Sequence, residues 1–218
     1  MSIIQTLTAR PWTAGQSRLD DLYAGSAPPA STRRVALRIF LAVVAVLFML
    51  LLVAYAGRMA YEDWRPAPQL RLLRANTAVL MLSSIFMQVS LYSARREWRG
   101  AMRTGILAAG AFTLVFLFGQ MLAWRQLGAL VQFDFRNPAV GFFYLITGLH
   151  GLHLLGGLAA WSRTAARAWG DADPARMAHS IALCALYWHF LLLVWLVLFG
   201  LLFSGNNFEL LLKLCGIR

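Results

Sequence analysis

Three histidines stand inside long apolar stretches of the sequence, and their chemistry needs explaining first. His150 and His153 are three positions apart, which places them about 60° apart around a helix, and His189 follows in the next apolar stretch. Neutral imidazole is a common ligand of transition metals, and haem iron often takes an axial histidine. Metal or haem ligation is therefore one hypothesis for these residues.

The surroundings of these histidines favour a second hypothesis, hydrogen bonding between helices. The HxxH spacing differs from the i, i+4 histidine pair with glutamate that marks a zinc hydrolase helix. No Cys, Asp or Glu stands at the same depth, and a membrane cytochrome with two haems needs four well-spaced histidines. The remaining one, His179, stands at the end of its stretch. From the residues alone, hydrogen bonding between helices is the favoured hypothesis, and haem or metal ligation and a proton relay remain as alternatives.

The elements that must position these histidines are evident from the distribution of charge. Charged residues make up 13% of the 218-residue chain, about half the typical share in a soluble domain, and 60% of its residues are hydrophobic. Five windows contain no charged residue: 39–57, 75–94, 104–124, 137–162 and 177–208. About 20 apolar residues cross a bilayer as a helix, so the sequence predicts an all-α polytopic membrane protein with five transmembrane helices.

The windows divide the chain into a tail and a membrane domain. We expect the five helices at about 35–57, 75–94, 104–127, 138–161 and 179–203, within a domain that covers residues 35–218 and ends in a short interfacial segment. Residues 1–34 contain no long apolar run, so we expect a cytoplasmic tail and not a cleaved signal peptide.

Basic residues set the predicted orientation. The net charge is +11, but the arginines stand at the ends of the apolar windows, where they anchor helices, so nucleic acid is not an expected partner. Twelve basic residues fall on the side of the N-terminus and eight on the other, which predicts a cytoplasmic N-terminus and a periplasmic C-terminus. Arg95, Arg96 and Arg99 are candidates for binding lipid phosphate, with topology anchoring as the simpler alternative.

Small and polar residues mark the faces on which the helices pack. Asn76, Ser83, Ser84 and Gln88 form a polar stripe in the second window, and such a stripe packs on a neighbouring helix because lipid leaves its donors unpaired. In the fourth window Gly148, Leu152 and Gly156 stand at i, i+4 and i+8, a predicted seam for close packing. These positions belong to one segment, 140–157.

The windows also lack any intramembrane carboxylate. Proton pumps and ion-coupled transporters place acidic or basic side chains within the bilayer, so this absence argues against both classes. Composition and spacing favour a packing subunit that depends on a partner.

Two motifs resemble those of a known family, cytochrome c oxidase subunit III. The first resembles its TGxHGxHxxxG signature and consists of Thr147, Gly148, His150, Gly151 and His153, followed by Gly156. The second stands about 35 residues downstream and consists of Tyr187, Trp188, His189 and Phe190, with Trp195 after them. The second window adds residues similar to the NTxxLxxSS stretch of the bacterial five-helix members, namely Leu73, Asn76, Thr77, Ser83 and Ser84.

The resemblance implies a non-catalytic accessory subunit of a haem-copper oxidase in the bacterial inner membrane. Such a subunit carries no metal or cofactor of its own. It packs on catalytic subunit I and other oxidase subunits, which hold the haem and copper and reduce dioxygen to water in the aerobic respiratory chain. Its helices form a bundle with a V-shaped cleft for structural phospholipids. The histidines then become motif residues that lock the fourth and fifth helices.

One departure from the family pattern keeps related assemblies open. The family usually has an acidic residue two positions after the HF of the second motif, and Leu192 stands there in this chain. The alternatives are the equivalent subunit of a quinol oxidase or a nitric oxide reductase. A stand-alone b-type cytochrome is a further alternative from a different class.

Overall fold

The part of the chain that the computed structural model describes is entirely helical in its regular structure. It comprises residues 30–59, 61, 64–65, 71–131, 137–170 and 173–203. The five helices are α1 (Ala30–Arg58), α2 (Arg71–Arg95), α3 (Arg99–Leu130), α4 (Pro138–Ala168) and α5 (Pro174–Phe203). Each contains a segment long and apolar enough to cross a membrane, which confirms the predicted all-α, five-helix membrane fold.

The first four helices are longer than the charge-free windows that predict them, and α5 begins three residues before its window. They contain 25 to 32 residues, or roughly 38 to 48 Å, so their ends extend beyond a hydrocarbon core of about 30 Å. The flanking arginines continue the helices because their long stems allow the charged groups to reach the polar interface. α1 begins at Ala30, inside the predicted tail, while residues 1–29 and the C-terminal segment from 204 onward lie outside the described residues.

A tight turn joins α2 to α3 and makes the two helices an antiparallel hairpin. Glu97 has a φ of 58°, in the left-handed region that a residue with a Cβ enters at a cost. The turn is held by backbone hydrogen bonds: Glu97 N–H donates to Ala94 O at 3.2 Å, and Trp98 N–H donates to Ser93 O at 2.9 Å. The carbonyl groups in the last turn of α2 thus accept hydrogen bonds from the backbone of the turn.

α4 begins with a capped N-terminus. The side-chain oxygen of Asn137 accepts the N–H of Ala139 at 3.1 Å, and Pro138 occupies the first helical turn, where its missing N–H costs nothing. The side-chain nitrogen of Asn137 donates to Arg65 O at 2.9 Å, which ties this end of α4 to the connection between α1 and α2.

The two largest apolar clusters of the core join side chains of α2, α3, α4 and α5. α2 and α3 approach closely because of Gly105: a Cβ there would lie 2.9 to 3.0 Å from backbone and Cβ atoms of Ser90. α1 contributes the side chains of Val44, Phe48 and Tyr55, which pack against α4 and α5. The fourth and fifth helices therefore have α1 on one side and the α2–α3 hairpin on the other.

Candidate functional site

Three tryptophan–threonine pairs connect the motif residues across helices. In each pair the indole N–H of a tryptophan donates to the hydroxyl of a threonine on another helix, and that hydroxyl donates to the carbonyl four residues earlier in its own helix. The pairs are Trp195–Thr77 at 3.0 Å, Trp188–Thr113 at 3.1 Å and Trp124–Thr147 at 3.0 Å. Donors that lipid would leave unpaired are thereby satisfied within the chain.

Ser83 joins the pair formed by Trp188 and Thr113. Its hydroxyl oxygen accepts the same indole N–H at 3.0 Å and lies 2.7 Å from both Thr113 Oγ1 and the carbonyl of Ala109. Trp188, Ser83 and Thr113 are buried, and they stand on α5, α2 and α3. A single polar cluster therefore holds three helices together.

His189, the histidine of the second motif, bonds to α2. Its Nδ1 lies 2.5 Å from Ser84 Oγ and its Nε2 lies 3.0 Å from Gln88 Oε1. Both ring nitrogens thus have partners on one neighbouring helix. The polar stripe predicted on α2 is buried at Asn76, Ser83 and Ser84, but Gln88 is exposed.

The first motif is held from both sides of α4. Thr147 belongs to the pair with Trp124, the indole ring of which would be 3.6 Å from a Cβ added at Gly148. His153 uses its Nδ1 to contact Leu149 O, one turn earlier in the same helix, at 2.7 Å. The carbonyl of His153 accepts the hydroxyl of Tyr187 at 2.8 Å, which links the two motifs directly.

His150 lies in an apolar pocket without a hydrogen bond. The side chain is fully buried, and both ring nitrogens have no partner among the described residues. Its neighbours are aromatic: the ring centroid lies 5.1 Å from that of Trp195, 6.1 Å from Phe116 and 6.3 Å from Phe48. His150 therefore contacts aromatic side chains of α1, α3 and α5 and makes no polar bond to them.

The close contact between α4 and α5 is at Gly157 and not at the predicted Gly156. A Cβ at Gly157 would lie 2.6 Å from Tyr187 Cε1, whereas a Cβ at Gly156 would have no atom within 4 Å. Leu152, the middle of the predicted seam, is 62% exposed, so the predicted seam is open at Leu152 and Gly156 and does not form a close helix contact there. The i, i+4 spacing shows that these residues share one face of α4, but it does not show toward which neighbouring helix that face points. Gly157 is also the residue that stands four positions after His153, where the signature has its last glycine.

The remaining motif residues have ordinary packing contacts. A Cβ at Gly151 would lie 3.8 Å from a Leu117 methyl group, and Phe190 is half-buried between the apolar clusters. Within the described residues, no three side chains of the His, Cys, Asp or Glu type come together as a metal site would require. His189 bonds to α2, whereas His150 and His153 lie near Phe48 of α1.

Sequence reasoning missed two buried contacts of α3. Trp161 covers Gly110 and donates its indole N–H to Ile106 O at 3.0 Å. Asn76 lies against Gly119 and donates to Phe116 O at 3.0 Å. Two features of the sequence could have indicated these contacts. A tryptophan or asparagine side chain inside a membrane span needs a hydrogen-bond acceptor, and a glycine on the neighbouring helix leaves space for such a side chain.

Basic side chains gather where the α2–α3 and α4–α5 connections meet. The Arg96 guanidinium stacks on the rings of Tyr92, at 4.4 Å, and Trp98, at 5.3 Å. Arg95 ends α2, and Arg99 begins α3 and lines a small cavity that Arg167 also lines. The three arginines predicted to bind phosphate thus stand together at one end of the bundle.

An apolar groove runs between α1, α4 and α5. It encloses about 330 Å³ and is lined by Leu37 and Phe40 of α1, by Gly156, Gly157 and Ala160 of α4, and by Leu183, Cys184, Tyr187 and Trp188 of α5. The open side of Gly156 faces this groove, which explains why a Cβ added there would have no atom of the described residues within 4 Å.

Comparison with known proteins identifies the family of this chain. A family model for cytochrome c oxidase subunit III matches residues 64–205. The probable cytochrome c oxidase subunit 3 of Mycobacterium leprae is 32% identical over 154 residues, which cover 68% of this chain and 74% of the relative. The corresponding subunits of a Synechocystis strain and of Thermostichus vulcanus are 30% and 28% identical, over 76% and 81% of this chain and 72% and 89% of their own. The chain therefore belongs to the cytochrome c oxidase subunit III family.

Proposed function

We propose that this chain is the non-catalytic accessory subunit of a haem-copper terminal oxidase in the aerobic respiratory chain. In this role it packs on the catalytic subunit, which holds the haem and copper and reduces dioxygen to water. The observation that carries the proposal is the family membership, since the match covers α2 to α5 and both motifs. The motif residues make contacts that suit a packing role: Tyr187 bonds the backbone of His153, and Trp188 bonds Ser83 and Thr113.

The proposal includes bound phospholipid. The groove between α1, α4 and α5 is apolar throughout, so an acyl chain buries its surface there without leaving a polar group unpaired. Arg95, Arg96 and Arg99 provide guanidinium groups for headgroup phosphates at one end of the bundle. Lipid that stays bound through purification in mild detergent, detected by native mass spectrometry, would support this part. Bulky substitution of Gly156 should then displace an acyl chain from the groove.

The proposed location is the bacterial inner membrane, with the N-terminus in the cytoplasm. The larger number of basic residues in the tail and in the α2–α3 and α4–α5 connections supports this orientation. Reporter fusions at the two ends test it: alkaline phosphatase should be active only at the C-terminus, and a fluorescent protein that folds in the cytoplasm only at the N-terminus. The reverse pattern would refute the orientation.

Purification of the tagged chain from native membranes tests the main proposal. A much larger haem-containing subunit should co-purify, and the preparation should consume oxygen with reduced cytochrome c. Another tagged polytopic protein from the same membrane is the control. Activity only with quinol, or only with nitric oxide, would favour the related assemblies that the Leu192 departure leaves open. A chain that purifies alone with its own Soret band would instead be a b-type cytochrome, and the proposal would fail.

A further inference from the structure

Two polar side chains are exposed in the middle of the helical spans. Among the described residues of the five helices, Gln88 and His189 are the exposed uncharged polar side chains that stand at least seven positions from both ends of their helix. The other exposed side chains in these middle segments are apolar, apart from Arg38 of α1, which directly precedes the charge-free window 39–57 and has a stem long enough to reach the polar interface. Within the described helices, the uncharged polar surface that faces the membrane interior is therefore confined to Gln88 and His189.

The depth of His189 makes this exposure significant. It is the sixteenth of the 30 residues of α5, so about 21 to 22 Å of helix lies on either side of it. A hydrocarbon core about 30 Å thick then has its midplane near His189. Ser84 and Gln88 are hydrogen-bonded to the same ring, so they lie at a similar depth.

One group at this site remains without a partner. Ser84 Oγ and Gln88 Oε1 occupy the two ring nitrogens of His189. The amide nitrogen of Gln88, which carries two N–H donors, has no hydrogen bond to any residue in the described part of the chain. Lipid tails offer no acceptor, and an unsatisfied donor in hydrocarbon costs several kcal/mol.

Apolar side chains continue the surface on both sides of this pair. On α2, Ile85, Gln88 and Tyr92 follow one another at three- and four-residue steps, and Leu186, His189 and Leu193 do the same on α5. Residues at such steps lie on one face of a helix. We call these six residues the α2/α5 face, an apolar surface with a polar centre.

We propose that the α2/α5 face docks a membrane-spanning helix of the partner subunit, and that this helix places a hydrogen-bond acceptor against the Gln88 amide at mid-membrane. The inference deepens the proposed function and rests on it, because it names the surface by which the chain joins its complex. A backbone carbonyl, hydroxyl, amide oxygen or carboxylate on the partner would serve as the acceptor. Small and polar contacts of this kind drive helix association in lipid.

The groove beside α4 provides the contrast that separates a protein partner from lipid. Its lining is apolar, so an acyl chain satisfies it completely, and the exposed Leu152 on α4 likewise needs no hydrogen bond. Gln88 does need one, and a lipid tail cannot supply it. The polar centre therefore selects a protein helix for the α2/α5 face.

Site-specific photo-crosslinking in native membranes tests the proposal on the full chain in its complex. A benzoylphenylalanine at Ile85 or Leu193 should attach to a transmembrane segment of the haem-containing subunit. The same probe at Leu152 on α4 or Val46 on α1, both exposed, is the matched control and should attach to lipid. Crosslinks to the haem subunit from the control positions only, or to a second copy of this chain from the α2/α5 face, would overturn the proposal.

The crosslinking result also separates a failure of the proposed docking surface from a failure of the proposed function. Attachment of Ile85 and Leu193 to a membrane protein that does not co-purify with a haem-containing subunit would support the docking surface and refute the oxidase assignment. Co-purification of the haem subunit without any crosslink from these positions would refute the surface and leave the assignment intact.

A substitution tests the role of the hydrogen bond. Gln88→Met keeps the length of the side chain but removes the N–H donors, so the complex should dissociate about three- to tenfold more readily in a detergent titration. Leu152→Met is the control and should leave dissociation unchanged. An unchanged complex with Gln88→Met would refute the hydrogen bond to the partner, and the crosslinking result does not depend on how this variant folds.

Discussion

Neighbouring glycines on α4 allow a direct test of how this helix packs. Gly156 and Gly157 share the same helix, depth and backbone geometry, but they face different surroundings. We expect Gly157→Ala to destabilise the chain relative to Gly156→Ala, because only the former places its methyl group against another helix.

The expected size follows from the distances. The added Cβ at residue 157 would lie 2.6 Å from Tyr187 Cε1, whereas carbon atoms pack at about 3.5 to 4.0 Å, so the ring must move by about 1 Å. The ring is restrained because its hydroxyl donates to His153 O at 2.8 Å. Overpacking of this kind costs about 1 to 3 kcal/mol.

Both variants share the benefit of replacing glycine in a helix, about 1 kcal/mol, and this benefit cancels in their difference. The free energies of unfolding should therefore differ by about 1 to 3 kcal/mol, or roughly 5- to 150-fold in the unfolding equilibrium constant. Gly156→Ala should itself be as stable as the parent chain or more stable.

The assay is unfolding of the full chain in mixed micelles by increasing SDS, followed by far-UV circular dichroism and tryptophan fluorescence. A second pair of variants in a Tyr187→Ala background provides the control, since removal of the ring should erase the difference between the two positions. Equal stability of Gly156→Ala and Gly157→Ala, within about 0.5 kcal/mol, would refute the packing of Tyr187 on Gly157.

Three further substitutions test other features of the structure in the same unfolding assay. Glu97→Gly should stabilise the chain by about 1 to 2 kcal/mol because glycine enters the left-handed region without strain, and a loss of stability would show that the Glu97 side chain makes a favourable contact. His150→Leu should leave stability unchanged or raise it, since it removes two buried nitrogens without partners, and a loss above about 1 kcal/mol would reveal a partner for that ring. Thr147→Val should lower the free energy of unfolding by about 1 to 2 kcal/mol, because it leaves the Trp124 N–H without an acceptor. Thr147→Ser keeps the hydroxyl and should retain this hydrogen bond. Equal losses of stability in the two variants would argue that the hydroxyl is unimportant.

The five helices could be predicted from the sequence because charge is excluded from hydrocarbon, and the charge-free windows mark where that exclusion operates. The helix ends could not be read from the same signal. Arg71 and Arg95 are charged, yet they form the first and last residues of α2, since a long side chain lets the backbone stay helical in the interface.

The candidate site was predictable in its members but not in its pairings. The sequence placed Ser84 on a packed face and His189 in the second motif, but only the structure brings their side chains to 2.5 Å. The i, i+4 spacing favours Gly156 over Gly157 as the packing glycine, since spacing alone leaves the direction of the helix face undetermined. Gln88, grouped with the buried stripe, is exposed because α5 reaches it through His189 but no other described helix covers it.

The tryptophan–threonine pairs have a consequence for the movement of protons. A hydrogen-bonded relay advances a proton only if each member can receive one from behind and release its own ahead. Here the first member is an indole N–H, which does not ionise at physiological pH, and the last is a peptide carbonyl, which has no proton to release. None of the three pairs can therefore pass a proton along its hydrogen bonds, so these polar groups hold the helices together inside the bilayer without providing a proton path of their own.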